Sequence, residues 1–192
     1  MRLFIAIDFN ELKDYFIELQ KLLPKSANLS LTKTFHLTLK FLGEVPPDKV
    51  GIISDNLRKI EFKSFPVHLD PIGIFPTENY IRVVWIGLNQ EERILELQKD
   101  IDESLKSFFK KENDFKAHIT LARVKYPEDK KLFFEQLKKI KIDKKEKEIK
   151  NFILIKSTLT PKGAVYEDVE IFNSNLFYWS CADSTLLPLL TP

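Results

Sequence analysis

Apolar and polar residues alternate with period two in two stretches of the chain, and this pattern predicts two β-strands that each bury one face. The first stretch covers residues 34–41 and the second covers residues 115–121. The apolar faces consist of Phe35, Leu37, Leu39 and Phe41 in the first stretch and of Ala117, Ile119 and Leu121 in the second. The polar faces carry the same pair in the same order, His36 with Thr38 and His118 with Thr120. One histidine on a strand is usually structural, but two in the same local pattern point to shared chemistry.

The rest of the pattern places each His-x-Thr strand inside a repeated unit of strand, helix, His strand, helix and strand. Apolar runs predict further strands at residues 2–9, 65–70, 80–88, 150–158 and 165–172, the 65–70 strand closing near residues 71–73. Helical spacing predicts helices at residues 11–23, 50–60, 94–108 and 129–140. Residues 25–33 are expected to be a polar connection, and residues 138–150 a solvated loop and strand start. We interpret the order as an internal duplication, with repeats at about residues 1–73 and 80–172. Two equivalent lobes about an approximate two-fold axis would bring His36 and His118 to one cleft.

Composition and charge narrow the class of protein. The chain has 192 residues, 44% of them hydrophobic and 30% charged, as in a soluble globular protein. It has one cysteine, which excludes an internal disulfide, and no apolar run long enough to span a bilayer, so a cytoplasmic protein without membrane contact is expected. The net charge is only +2, so a nucleic-acid substrate would have to be short or be bound by a local part of the surface.

Two opposed histidines suit in-line displacement at phosphorus. One neutral imidazole takes a proton from water while an imidazolium on the other side donates a proton to the leaving oxygen. The hydroxyls of Thr38 and Thr120, helped by Lys40, would bond the non-bridging oxygens as charge develops there. The sequence has no glycine-rich phosphate loop, no dinucleotide-binding fingerprint and no nucleophile elbow, and two histidines alone make a poor metal site. We therefore expect neither a metal nor a cofactor.

The segments His36-Leu37-Thr38-Leu39 and His118-Ile119-Thr120-Leu121 resemble the paired signatures of the 2H phosphoesterase superfamily. The closest likeness is to its RNA 2′,3′-cyclic phosphodiesterase branch, also called the 2′-5′ RNA ligase family. The likeness extends over about residues 1–172 and includes the segments 1–8, 35–45, 73–76, 83–87, 115–124, 157–159 and 163–166. The tail at residues 173–192 departs from the usual end of such proteins, and its role is left open.

This resemblance implies a bilobal α+β fold in which two antiparallel sheets line a central cleft and the helices lie outside, in a single domain over residues 1–172. It implies hydrolysis of a 2′,3′-cyclic phosphate on an RNA end or nucleotide to a 2′-phosphomonoester. We expect the protein to be a monomer. His36 would be the proton donor and His118 the proton acceptor, with Thr38 and Thr120 holding the phosphate. Arg123 matches a position that is usually basic in such proteins. Strict alternation puts Arg123 on the core face, so it reaches the cleft only through a bulge or strand end.

Two other hypotheses remain open. The first is ATP-independent 2′-5′ RNA ligation by the reverse chemistry, and the second is a non-catalytic module that binds RNA ends or nucleotides. The third histidine, His68, is expected to be a surface residue. Five aromatic residues have the chemistry to stack on a base but are more often found in cores: Phe41, Phe75, Tyr80, Trp85 and Tyr166.

Overall fold

The structure, a computed structural model, describes residues 1–127, 129–161 and 163–175. This part of the chain contains nine strands and four α-helices. The strands are β1 (Arg2–Asp8), β2 (Ala27–Leu31), β3 (His36–Glu44), β4 (Phe65–Thr77), β5 (Tyr80–Leu88), β6 (Ile119–Pro127), β7 (Glu146–Ile149), β8 (Asn151–Thr160) and β9 (Gly163–Asn173). The helices are α1 (Lys13–Leu22), α2 (Val50–Leu57), α3 (Glu91–Ser104) and α4 (Lys130–Leu137). Within these ranges, none of the helices has both the length and the hydropathy of a bilayer span.

The strands form two antiparallel sheets, and each sheet takes strands from both halves of the chain. The first sheet has the order β3-β1-β8-β9, and the second has the order β2-β6-β5-β4-β7. The first half therefore supplies β2 and β4 to the second sheet, and the second half supplies β8 and β9 to the first. The predicted α+β class with two antiparallel sheets is confirmed, but the sheets do not coincide with the sequence repeats.

The helices pack on one face of the sheets and leave the opposite face of each sheet for the site. In β1, Leu3, Ile5 and Ile7 lie in the main core together with residues of α1, α2 and α3. Phe4 and Ala6 point the other way and form a small separate cluster with Ile153 and Ile155 of β8. Burial of the main core supplies the largest stabilising contribution to the fold.

Three helix boundaries can be compared with the local sequence. Asp129 caps α4, because its side chain accepts a 2.9 Å hydrogen bond from the amide of Leu132. The helix predicted after Asn10 starts as a 3₁₀ turn, Asn10–Leu12, before it becomes α1. The third helix ends at Ser104, so Phe108 lies beyond it.

Three segments of the structure differ from the sequence prediction in their strands. The strand expected to close near residues 71–73 continues to Thr77, because a bulge between Asp70 and Ile72 lets Pro71 stay in the strand while pairing continues on both sides. Residues 25–33 contain β2 rather than only a connection, since residues 27–31 pair with β6. The lysine-rich segment 138–150, expected to be a loop and strand start, contains a separate short strand, β7, which pairs with residues 65–68. In the tail, residues 176–192 lie outside the described residues.

Candidate active site

The two His-x-Thr strands carry matching β-bulges. In the first sheet, His36 lies opposite Asp8 and Thr38 lies opposite Ala6, but the next pair joins Lys40 to Ile5, so Leu39 is the extra residue. In the second sheet, Thr120 lies opposite Trp85 and the next pair joins Ala122 to Val84, so Leu121 is the extra residue. A bulge shifts the alternation by one position and changes which side chains face the cleft beyond it.

The first bulge turns Lys40 into the core. Its side chain is 2% exposed, its Nζ forms an ion pair with Asp102 of α3, and the same Nζ donates a 2.8 Å hydrogen bond to the carbonyl of Lys110. Phe41, the next residue, is instead 66% exposed and lies beside Phe4. The prediction that Lys40 shares the polar face of His36 and Thr38 is wrong, because it assumed unbroken alternation.

The second bulge turns Arg123 out of the core. Ala122 and Val124 are buried against the α4 side of the second sheet, whereas Arg123 is exposed between them. Arg123 pairs with Val83 on one side and with Ser30 of β2 on the other. The bulge that a cleft-facing Arg123 requires is therefore present, and Arg123 lies on the same face as Thr120.

His36 is half-buried in an aromatic environment on the cleft face. Its ring centroid lies 5.1 Å from that of Phe4 and 5.3 Å from that of Tyr166. Burial lowers the pKa of His36 to about 4, although the opposing carboxylate of Asp8 raises it, and the charge of His118 lowers it further. Burial is the largest of these influences, and the charge of His118 is the smallest.

His118 lies immediately before β6 and has a fixed hydrogen-bond partner. Its Nδ1 is 2.7 Å from the carbonyl oxygen of Lys116. Because a carbonyl only accepts, Nδ1 carries the hydrogen, and in the neutral ring Nε2 holds the free lone pair. Burial lowers the pKa of His118, the hydrogen bond to Lys116 raises it, and the Lys116 ammonium lowers it.

Aromatic side chains also support His118. The ring of Phe75 packs edge-on at 4.9 Å and that of Trp85 lies at 6.1 Å, measured between centroids. The indole of Trp85 in turn covers Gly73, where an added Cβ would lie 2.1 Å from Trp85 Cζ2. Glycine is therefore required at position 73 for Trp85 to keep its place.

The third histidine lies apart from this pair. His68 is on the β4–β7 strand pair at the edge of the second sheet, with Nε2 3.6 Å from Glu146. Its side chain is 30% exposed, so the residue expected at the surface is half-buried there. Across the described ranges, no three His, Cys, Asp or Glu side chains converge as the ligands of a metal ion would.

Sequence reasoning missed two neighbours of His36. Asp8 ends an apolar run, and only the β1–β3 register shows that it lies opposite His36. The sequence suggests Tyr166 only as a possible base-stacking residue, and its contact with His36 depends on β9 lying in the same sheet. The alternation pattern contains no signal for either contact.

Comparison with known proteins identifies the family. The sequence model of the LigT-like phosphoesterase family matches twice, over residues 7–85 and 86–166. An RNA 2′,3′-cyclic phosphodiesterase of Methanocaldococcus jannaschii is 40% identical over 174 residues, which cover 88% of this chain and 99% of that protein. A protein of the same name from Archaeoglobus fulgidus is 34% identical, over 90% of this chain and 99% of that protein.

Solved structures agree with this assignment. The crystal structure of TT0787 of Thermus thermophilus aligns with a TM-score of 0.74 and 28% identity, covering 90% of this chain and 97% of that one. Escherichia coli LigT has the same fold, with a TM-score of 0.70 and 24% identity over 91% of this chain and 98% of that one. The chain belongs to the LigT-like phosphoesterase family.

Proposed function

We propose that this protein hydrolyses 2′,3′-cyclic phosphates at RNA ends to 2′-phosphomonoesters without a metal ion or a cofactor. The observation that carries the proposal is that His36 and His118 stand in equivalent positions at two strands with matching bulges, each followed by a threonine on the same face. Relatives that are 40% and 34% identical over nearly the whole chain are named for this activity. They support the choice of a cyclic phosphodiester over other phosphate esters.

In the proposed reaction His118 is the base. Its Nε2 takes a proton from water, because Nδ1 is committed to the Lys116 carbonyl. The water oxygen bonds to phosphorus, and the bond between phosphorus and the 3′ oxygen breaks. The product carries a 2′-phosphate and a 3′-hydroxyl, so the net change is the addition of one water molecule.

His36 is the proposed acid and protonates the departing 3′ oxygen. Burial keeps its pKa near 4 in the free protein. A bound phosphate anion favours the imidazolium and raises that pKa, so His36 becomes protonated when the substrate binds. The hydroxyls of Thr38 and Thr120 and the guanidinium of Arg123 would bond the non-bridging oxygens.

One chain supplies both histidines, so we propose that the monomer is the active unit and that residues 1–172 act as one catalytic domain. Lys40 is not included in the proposed site, because its ammonium is held by Asp102. Any contribution of Lys40 to activity would be indirect.

The test is product identification. The purified protein is incubated, with EDTA present, with a short RNA that ends in a 2′,3′-cyclic phosphate, and the product is identified by phosphorus NMR. We expect a 2′-phosphomonoester, and we expect His68→Ala to turn over at the wild-type rate. Tight binding without turnover would support a binding module instead, and a 2′-5′-joined product formed when a 5′-hydroxyl RNA is added would support ligation.

A further inference from the structure

A basic groove opens on the second sheet beside the proposed site. It has a volume of about 430 Å³, and its lining includes Ser30, Arg82, Arg123, Lys125 and Tyr126. These residues come from the three neighbouring strands β2, β6 and β5. The groove therefore lies on a continuous surface of the sheet rather than between mobile loops.

The groove is continuous with the face that carries His118. Ser30, Arg123, Val83 and Phe75 form one cross-strand row over four strands. The ring of Phe75 at the end of this row contacts His118. Along β6, Thr120, Arg123 and Lys125 follow one another, and at about 3.3 Å per residue they span roughly 16 Å. This distance is longer than a single phosphate group needs.

No carboxylate of the described residues neutralises the cations of the groove. Among the described residues, Arg82, Arg123 and Lys125 form no ion pair, and the Arg82 guanidinium lies 5.3 Å from the ring centroid of Tyr80. Three cations on one surface, none of them paired with a described carboxylate, favour a polyanion. Tyr126 beside them is 78% exposed and offers an aromatic face on which a base can stack.

On the opposite side of the cleft, a single cation of the described residues, Arg2, accompanies two carboxylates. Asp8 lies opposite His36, and Asp168 lies opposite Ile155, whose side chain packs with Phe4 on the cleft face. An RNA that ends in a 2′,3′-cyclic phosphate has all its other phosphates on the 5′ side, so its chain must leave the site in one direction. The charges favour exit along β6 and disfavour exit along β8 and β9.

We propose that this groove binds the phosphodiester backbone of the nucleotides that precede the cyclic end, so that the preferred substrate is an oligonucleotide rather than a mononucleotide. The inference rests on the proposed function, because it uses the same catalytic site. Arg123 stands at the junction of site and groove, while Arg82 and Lys125 serve the groove alone.

The experiment compares a hexameric RNA with a cyclic end to a 2′,3′-cyclic mononucleotide. We expect the double variant R82A/K125A to lower the ratio of kcat/KM for the hexamer to that for the mononucleotide about tenfold. The salt dependence of kcat/KM for the hexamer should flatten, its log–log slope falling by about 1.4 for two lost phosphate contacts. The matched control is K13A/K99A, which removes two exposed charges from α1 and α3.

The outcomes separate the two proposals. If the wild type hydrolyses neither substrate, the proposed function is wrong, and the groove is then tested by fluorescence anisotropy with a labelled hexamer that ends in a 3′-phosphate. Weaker binding by R82A/K125A than by K13A/K99A would support the groove. If the wild type hydrolyses both substrates and the two double variants have the same ratio, the assignment of the groove is overturned.

Discussion

The contact between Nδ1 of His118 and the Lys116 carbonyl makes the two histidines unequal. It leaves Nε2 as the proton acceptor, whereas His36 has a carboxylate, Asp8, across the strand pair. The influences on His118 are instead burial and the carbonyl and ammonium of Lys116. The surroundings of the two rings thus favour a base at His118 and an acid at His36.

The pH dependence follows from these surroundings. The acid must be protonated and the base neutral, and burial holds both pKa values below the usual 6.5 in the free protein, that of His36 at about 4. Because kcat/KM reports the ionisations of the free enzyme, it should peak below pH 6.5 and fall as the pH rises. The kcat profile should lie at higher pH, since bound phosphate raises both values. Initial rates from pH 4 to 9 measure both profiles, and a kcat/KM maximum above pH 8 would contradict the expectation.

Asp8→Asn tests the carboxylate opposite His36. Loss of its charge should lower the pKa of His36 further and shift to lower pH the limb of the kcat/KM profile that reports the ionisation of His36. It should also reduce kcat at pH 7 by roughly threefold to tenfold. The amide retains an oxygen to accept the hydrogen bonds that Asn10 donates to Asp8. Asp14→Asn, an exposed change of the same charge on α1, is the control. An unchanged pH profile in Asp8→Asn would contradict the proposed influence of Asp8 on the pKa of His36.

At the scale of elements, helices from the opposite half of the chain hold the two bulges. Gln20 of α1 donates 2.8 Å hydrogen bonds to the carbonyls of Thr32 and Leu121, the latter being the bulge residue of β6. Asp102 of α3 holds Lys40 at the bulge of β3. Each helix therefore fixes the strand that carries the other half's histidine.

Lys40→Met tests the structural role of this ion pair. Leaving Asp102 buried without its cation should cost about 3–5 kcal/mol in the free energy of unfolding. The double variant K40M/D102L should recover part of this loss, because it removes the unpaired charge. Urea denaturation measures both. A normal stability with a raised KM would instead assign Lys40 to substrate binding.

Gly73→Ala tests the support of His118. The new methyl group would overlap Trp85, so either the indole moves and disturbs His118 or the strand shifts, at a cost of about 1–3 kcal/mol. We expect a lower melting temperature and a lower kcat. Gly51→Ala in α2 is the control, since nothing lies within 4 Å of its added Cβ and alanine favours a helix. Equal behaviour of the two variants would contradict the proposed support.

Alternation predicted the two His-x-Thr faces, because period two holds from Phe35 to Leu39 and from Ala117 to Leu121. It did not predict the positions beyond the bulges, where Lys40 turns inward and Arg123 turns outward. A bulge depends on pairing with a neighbouring strand, and the sequence of one strand does not contain that register. The short strands β2 and β7 were missed for the same reason, since pairing rather than their own apolar pattern defines them.

At the scale of the whole molecule, the duplicated halves are interlocked. The first sheet receives β8 and β9 from the second half, and the second sheet receives β2 and β4 from the first half. The order of elements predicted the repeat, but not this exchange, because strand order is a property of the folded chain. The exchange fixes the two lobes relative to each other and thereby the relation of His36 to His118.

The most direct test of a phosphate shared by two histidines is a double-mutant comparison of kcat on an RNA with a cyclic end. We expect His36→Ala and His118→Ala each to lose about 10²–10⁴ in kcat. Because both rings act in one step, the double variant should lose little more than the worse single variant. Near-normal turnover in either single variant, or a double variant that loses the full product of the two single losses, would contradict the account.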